Sequence, residues 1–174
     1  SIKVEKIVTD NDASLILIEL IYDDHKFGLA CIYGPNVDSP SFFTGLLDRI
    51  ANLEWNDYLI LGDFNISLNP EKDNWGYQGI HNPNARKTLK ELMISNLLID
   101  CHSYFFPNKR DFTWRKWNGN KRSRLDMILT TESLRPFLSK FKKEISLRSD
   151  HNPLSITIDF SKFSRGKGFW KFNN

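Results

Sequence analysis

Residues 59–65 read LILGDFN. An apolar run stops at Gly62, and an acid, an aromatic and an amide follow at once. A short continuous apolar run of this kind marks a buried strand, so the core of a sheet is expected over residues 58–62. Two readings of its end stay open. Gly, Asp and Asn are turn residues, because they tolerate unusual backbone angles and hydrogen-bond their own main chain. Catalytic groups also gather where sheet strands end in α/β folds. The rest of the chain has to decide between them.

Outward from this strand, the N-terminal half reads as β structure. IKVEKIV (2–8) alternates apolar and polar residues. SLILIELIY (14–22) and FGLACIY (27–33) flank DDHK, a hairpin signal. SFFTGLLDRIANL (41–53) has helical spacing behind Ser39-Pro40, and a second helix is predicted over about 84–97, with Leu89, Leu92, Met93 and Leu97 on one face. The polar stretch 66–83 between them, with Trp75, Tyr77 and His81, reads equally as a substrate lid or as an irregular connection. FTWRKW (112–117) and RSRLDMILTT (122–131) flank Asn118-Gly119-Asn120, a strong hairpin signal. A short helix is predicted around 132–142, limited by Pro136, and PLSITIDF (153–160) closes the set as an alternating strand. The mixture is α/β or α+β. Residues 1–161 read as one domain. Residues 162–174, with Lys162, Arg165, Lys167 and Lys171 and no acid, read as a basic linker tail whose Phe169, Trp170 and Phe172 call for a docking partner.

The bulk numbers agree. The chain has 174 residues, 40% of them apolar and 26% charged, as in a globular domain with a sizeable core. No apolar run nears the roughly 20 residues needed to span a bilayer, and the N-terminus has no leader pattern. Cys31 and Cys101 lie far apart in apolar stretches. This excludes a disulfide framework and a Cys-based zinc site, and it agrees with an intracellular protein. The net charge of +3 points only weakly to a polyanionic partner.

Four stretches carry the chemistry: CIYGPN (31–36), LGDFN (61–65), SRLD (123–126) and SDHNP (149–153). Hydrolysis of a phosphodiester needs a cation to neutralise the phosphate, a base to hold the attacking water, and donors for the growing charge on oxygen. Asp63 is a candidate base and Asn65 a candidate donor. His151 can contact the phosphate if Asp126 orients it, since a carboxylate fixes the imidazole tautomer. Asp150 is a candidate metal group, and Tyr33 offers a phenolic hydroxyl. Magnesium, with manganese as the substitute, suits such oxygen donors. Each residue also has a plainer role: Tyr33 packs beside a turn, Asp126 pairs with Arg124 or Arg122, and Asp150-His151 turns before Asn-Pro. An Asp inside a strand is nonetheless disfavoured and wants a reason. Arg115, Lys116, Lys121, Arg122 and Arg124 surround the 112–123 hairpin with Trp114 and Trp117, a composition that suits phosphates and bases. Alternation places one tryptophan in the core. It also aims Arg124 with Asp126, which makes Arg124 the leading phosphate contact. His25 and His102 read as structural.

GDFN, SRLD and SDHNP, in this order and spacing, resemble the signature of the endonuclease/exonuclease/phosphatase superfamily. CIYGPN and the tail GKGFWKFNN resemble the endonuclease region of LINE-type (non-LTR) retrotransposons and its junction with reverse transcriptase. The resemblance implies a four-layered sandwich of two mixed sheets flanked by helices, and Mg-dependent nicking of DNA that primes reverse transcription. It also implies a covalently linked reverse transcriptase, a monomer, and action in the nucleus. It assigns Asp63 and Asn65 to the catalytic centre, Asp126 to holding His151, Asp150 to the metal side and Tyr33 to the phosphate, with Ser149 and Thr113 near the DNA. The family's first strand, with its Asn, and its principal metal-ligand Glu have no match here. Glu5 and Glu19 lie in the wrong context, so an N-terminally truncated fold is expected. Two rivals follow: a phosphatase of the same superfamily acting on a lipid or small phosphoester, and a fragment that binds DNA without cleaving it.

Overall fold

The structure, a computed structural model, describes residues 2–22, 25–79 and 81–162. The tail from residue 163 lies outside them. In chain order the elements are β1 (Ile2–Thr9), β2 (Leu15–Tyr22), β3 (His25–Tyr33), α1 (Pro40–Ala51), β4 (Asp57–Asp63), α2 (Pro70–Asp73), β5 (Asn74–Trp75) and α3 (Pro83–Ser95). There follow β6 (Leu98–Asp100), α4 (Cys101–Phe105), β7 (Trp114–Arg115), β8 (Arg122–Ser123), β9 (Asp126–Thr131), a 3₁₀ turn (Glu132–Phe137), β10 (Leu138–Lys143), β11 (Leu154–Ile158) and a last 3₁₀ turn (Phe160–Lys162).

The principal sheet has six strands in the order β1-β2-β3-β4-β9-β6. All its pairs are antiparallel except β3 with β4. That parallel pair requires a crossover, and α1 supplies it. Alternation along each strand sends residues to opposite faces. Ala30, Ile32, Ile60, Met127 and Leu129 face α1 and α3, where Phe43, Leu46, Leu47, Ile50, Ala85 and Leu89 complete one core. Phe27, Leu59 and Ile128 face the other way, onto Leu138 and Phe141 of β10 and the apolar residues of β11. The layers are thus helices, a mixed six-stranded sheet, and a two-stranded β10–β11 sheet, an α/β architecture as expected. A small sheet, β5-β8-β7, stands at the end where β4 stops and β9 starts.

Three predicted elements are corrected. Residues 132–142 do not form one helix. Pro136 lies within the 3₁₀ turn, and the chain then runs as β10, whose register shift between Leu138 and Lys140 had disguised its alternation. The second helix ends at Ser95, and Leu97 leaves its face, 70% exposed at φ 51°. The run 122–131 is not one strand, because Arg124 and Leu125 carry the chain from the small sheet into the large one.

Candidate active site

The site is built on one pairing. In the β4–β9 ladder Asp63 lies directly opposite Asp126, at the last position of β4 and the first of β9. Residues facing each other across an antiparallel pair point to the same side, and like charges there repel. Such an arrangement needs a compensating partner. His151 supplies part of it: its Nδ1 is 2.9 Å from Asp126 Oδ2, and its Nε2 is 4.0 Å from Asp63 Oδ2. Ligand atoms of all three residues lie within 4.8 Å of one another. Burial pushes the Asp63 carboxyl above the ordinary carboxylate range. The Asn65 backbone N–H opposes that rise, Asp126 reinforces it, His151 opposes it and Asp150 reinforces it.

The turn reading of GDFN holds, and the same turn ends a sheet strand. It is a turn, with the Asn65 N–H donating to Asp63 Oδ1 at 2.9 Å and Asn65 at φ 50°, a conformation that Asn tolerates. It is also the end of the strand that presents Asp63. Gly62 has φ 136°, and a Cβ there would stand 2.0 Å from the Ile32 carbonyl oxygen, so only glycine fits. Gly34 of CIYGPN allows the same close approach, since a Cβ would meet the Phe64 carbonyl oxygen at 2.4 Å. The two motifs are then laced together. The Gly34 N–H donates to the Asp63 carbonyl at 2.6 Å, and Asn65 Nδ2 donates to the Gly34 carbonyl at 2.7 Å. Asn65 therefore spends one amide hydrogen on the backbone.

SDHNP is stitched to the hairpin. Arg115 N–H donates to the Asp150 carbonyl and Asn152 N–H to the Thr113 carbonyl, and Trp114 bridges His151. Ser149 Oγ accepts the His151 N–H at 3.0 Å. The predicted residues then separate into two groups. Asp63, Asn65, His151 and Tyr33 border one cleft of about 280 Å³, with Asp126 behind His151. Tyr33 is exposed on its rim, where Asn36 Nδ2 donates to its hydroxyl at 3.4 Å. Asp150 stands outside that cluster: the Trp114 indole donates to its Oδ2 at 2.8 Å, and it borders an adjoining cleft of about 480 Å³. Arg115 and Arg122 are exposed and border that second cleft too, together with Trp117, which is 83% exposed. Neither hairpin tryptophan is fully buried, and Trp114 forms the wall shared by both clefts.

Two expected DNA contacts are corrected. Arg124 is 3% exposed, its guanidinium held between Asp73 and Asp100. Burial works against its charge, but Asp100 and Asp73 outweigh burial and raise its pKa. Thr113 is 2% exposed, and its hydroxyl accepts the N–H groups of Leu125 and Asp126 at 3.0 and 2.9 Å. Both are scaffold beneath the site. Alternation had aimed Arg124 with Asp126, but Arg124 lies in the step between the small sheet and β9, so the period breaks before Asp126.

Several cleft residues escaped sequence reasoning. Ser67 and Ser123 donate to Asn74 Oδ1, each at 2.5 Å, and the three form a buried polar floor. Tyr77 and His81, which the sequence had offered as parts of a lid or of an irregular connection, stand on the wall. Only the β5–β8 pairing brings Asn74 to Ser123, and no local pattern announces a two-residue strand. Gly76, at φ 75°, sits so close to Asn120 that a Cβ would be 1.9 Å from its carbonyl oxygen, which presses the 66–83 stretch against the hairpin. Glu19 takes the Trp55 indole N–H and lies near Lys26, while the exposed Glu5 pairs with Lys3. His25 pairs with Asp57, remote in sequence, and His102 lies 3.8 Å from Asp111 on the segment that follows α4.

The family model described as Endonuclease-reverse transcriptase matches residues 27–155, and the chain belongs to this family. Its fold is that of the endonuclease/exonuclease/phosphatase superfamily. An AP endonuclease from Archaeoglobus fulgidus superposes with a TM-score of 0.67 at 19% identity, covering 90% of this chain and 72% of that one. The AP endonuclease LMAP from Leishmania major gives 0.72 at 18%, covering 86% and 56%. The endonuclease domain of TRAS1, a telomere-specific non-LTR retrotransposon, gives 0.63 at 16%, covering 91% and 69%.

Proposed function

We propose that this chain is the endonuclease portion of a non-LTR retrotransposon polyprotein, hydrolysing one phosphodiester bond of nuclear target DNA to leave a 3′-hydroxyl that primes reverse transcription. The observation that carries the reading is the Asp63–Asp126–His151 cluster at the strand ends, opening on a cleft flanked by a basic hairpin. The linked reverse transcriptase and the monomeric state belong to the same proposal. No described helix is long and apolar enough to cross a membrane.

The residues divide the work. Asp63, with its raised pKa, holds and deprotonates the attacking water, because a base poised closer to neutrality takes a proton more readily. Water oxygen bonds to phosphorus as the bond to the 3′-oxygen breaks, and that oxygen takes a proton from solvent water and leaves as the 3′-hydroxyl. Asp126 accepts from His151 Nδ1, so that in the protonated ring the Nε2–H faces the cleft and donates to a phosphoryl oxygen. Tyr33 on the rim and the second amide hydrogen of Asn65 are further donors. Arg115 and Arg122 hold flanking phosphates.

The donors fit a divalent cation in kind. Asp63 and Asp126 offer oxygens to a hard ion such as Mg²⁺ or Mn²⁺, and a cation there would relieve the Asp126 repulsion that adds to the burial-driven rise of Asp63. Such an ion, when bound, neutralises charge on the phosphoryl group. The set is also small: two carboxylates, one already engaged with His151. That observation favours the second reading, a chain that binds DNA and cuts it poorly. Supercoiled plasmid with magnesium or manganese separates the two. Nicking by the chain that vanishes in an Asp63→Ala, His151→Ala double variant supports the endonuclease. DNA binding with no nicking, by a folded chain in both metals, supports the second reading.

A further inference from the structure

Among the described residues, the most costly construction beside the site is the setting of Arg124. Three ionised side chains from three elements are buried together: Arg124 before β9, Asp73 at the end of α2, and Asp100 at the junction of β6 and α4. Arg124 Nε and Nη2 reach Asp73 at 2.8 and 3.2 Å, a two-point fork, and Nη1 lies 2.8 Å from Asp100. The backbone joins in, with the Arg124 N–H donating to the Asp73 carbonyl at 2.8 Å. The acids are themselves saturated. Asp73 accepts the Asn69 N–H, and Asp100 accepts the His102 N–H and the Ser103 hydroxyl. A buried ion group of this kind is weak as a source of stability, since well-packed apolar residues often do as well. Its value is geometric, because a planar fork between two fixed acids allows little rotation.

What it fixes is the floor and the acid of the candidate site. Asp73 is followed by Asn74, whose Oδ1 gathers Ser67 and Ser123 under the cleft. Arg124 is followed by Leu125, which lines that cleft, and then by Asp126, which holds His151. We propose that Arg124 is a positioning residue: by locking the end of α2 to the sheet-to-sheet step before β9, it holds Asp126 at the angle that keeps His151 in a single tautomer facing Asp63. The consequence for catalysis rests on the endonuclease reading. The geometric claim does not, and it can be tested apart from it.

The test is ¹⁵N NMR of histidine-labelled full chain, with Arg124→Lys, Arg124→Met and, as a packing control in the helix-facing core, Leu92→Ala. With Nδ1 donating to Asp126, wild-type His151 should show the distinct ring ¹⁵N shifts of one tautomer. Arg124→Met should collapse them toward averaged values. Arg124→Lys, which keeps the charge but loses the fork, should do so in part. Leu92→Ala should leave them in place. If Arg124→Met does not fold, Arg124→Lys is read by the same criterion. Unchanged His151 shifts in a folded Arg124 variant, or the same collapse in Leu92→Ala, would overturn the proposal. Where the wild type nicks plasmid, Arg124→Lys should lower kcat by about 10- to 100-fold with KM nearly constant. If the wild type does not nick, the endonuclease reading fails and the spectra still decide the role of Arg124.

Discussion

The six-stranded sheet has two unlike regions. At the β4–β9 end the residues depart from strand preference, with Gly62, Asp63 and Asp126, yet nearly every polar group there is met by a partner from another segment. At the opposite edge, β1 reads as a good strand and is exposed along its whole length. Ile2, Val4 and Ile7 lie opposite Tyr22, Leu20 and Ile18, so they share one face of the sheet, and all three are exposed. The difference teaches that fit to a strand pattern and structural commitment are separate quantities. The site end is over-determined by long-range contacts, and the edge is held by one ladder.

This contrast can be broken in graded steps. The largest effect should come from Asp126→Ala. Losing the carboxylate that orients an active-site histidine typically lowers turnover about 10⁴-fold. Plasmid nicking should fall to that order, while the melting temperature moves little. Next is Phe64→Ala, a fully buried ring beneath GDFN. It should cost about 3–5 kcal/mol in urea unfolding, because the cavity sits in a region that cannot relax.

A smaller effect concerns acid. Burial, then the Arg124 charge, lowers the pKa of His102. The unfolded chain therefore binds a proton that the folded chain resists, and stability is complete above the ordinary histidine range and falls as pH drops through it. The Asp111 carboxyl is lowered in spite of its burial, chiefly by its bond to Lys143 and then by Lys109, so its contribution is lost only at lower pH, within and below the ordinary carboxylate range. Chemical denaturation across pH should show the first loss flattened in His102→Gln. The smallest effect should be Ile7→Lys at the edge, within about 0.5 kcal/mol. Light scattering should nevertheless show less self-association, since a lysine on an exposed edge strand blocks pairing with another copy.

The strands β1 to β4 and the helix α1 were legible because each carries a local signal: alternation in β1, apolar runs flanking a turn in β2 and β3, a continuous apolar run in β4 and helical spacing in α1. Asp63, Asp126 and His151 were legible because three motifs converge on one chemistry and the β4–β9 register brings them to one place. What stayed hidden depends on where the chain changes sheet. Arg124 reads as a DNA contact as long as 122–131 is taken for one strand; the step at Arg124-Leu125 turns it inward. Thr113 was placed near the DNA by the resemblance alone, and no local pattern marks its hydroxyl as the acceptor of the Leu125 and Asp126 N–H groups. β10 was lost to a register shift, and the Ser67–Asn74–Ser123 floor to a two-residue strand. Asp150 had no local signal that Trp114 would claim its carboxylate.

The most direct measurement is the chemistry of the cut end. A nicked plasmid produced by the chain in magnesium is offered to a DNA polymerase with no prior end treatment. The account predicts extension from the nick, the signature of a 3′-hydroxyl left by attack of water on phosphorus, and no nick when His151 is replaced by alanine. Nicks that carry a 3′-phosphate, or that persist without His151, would contradict it.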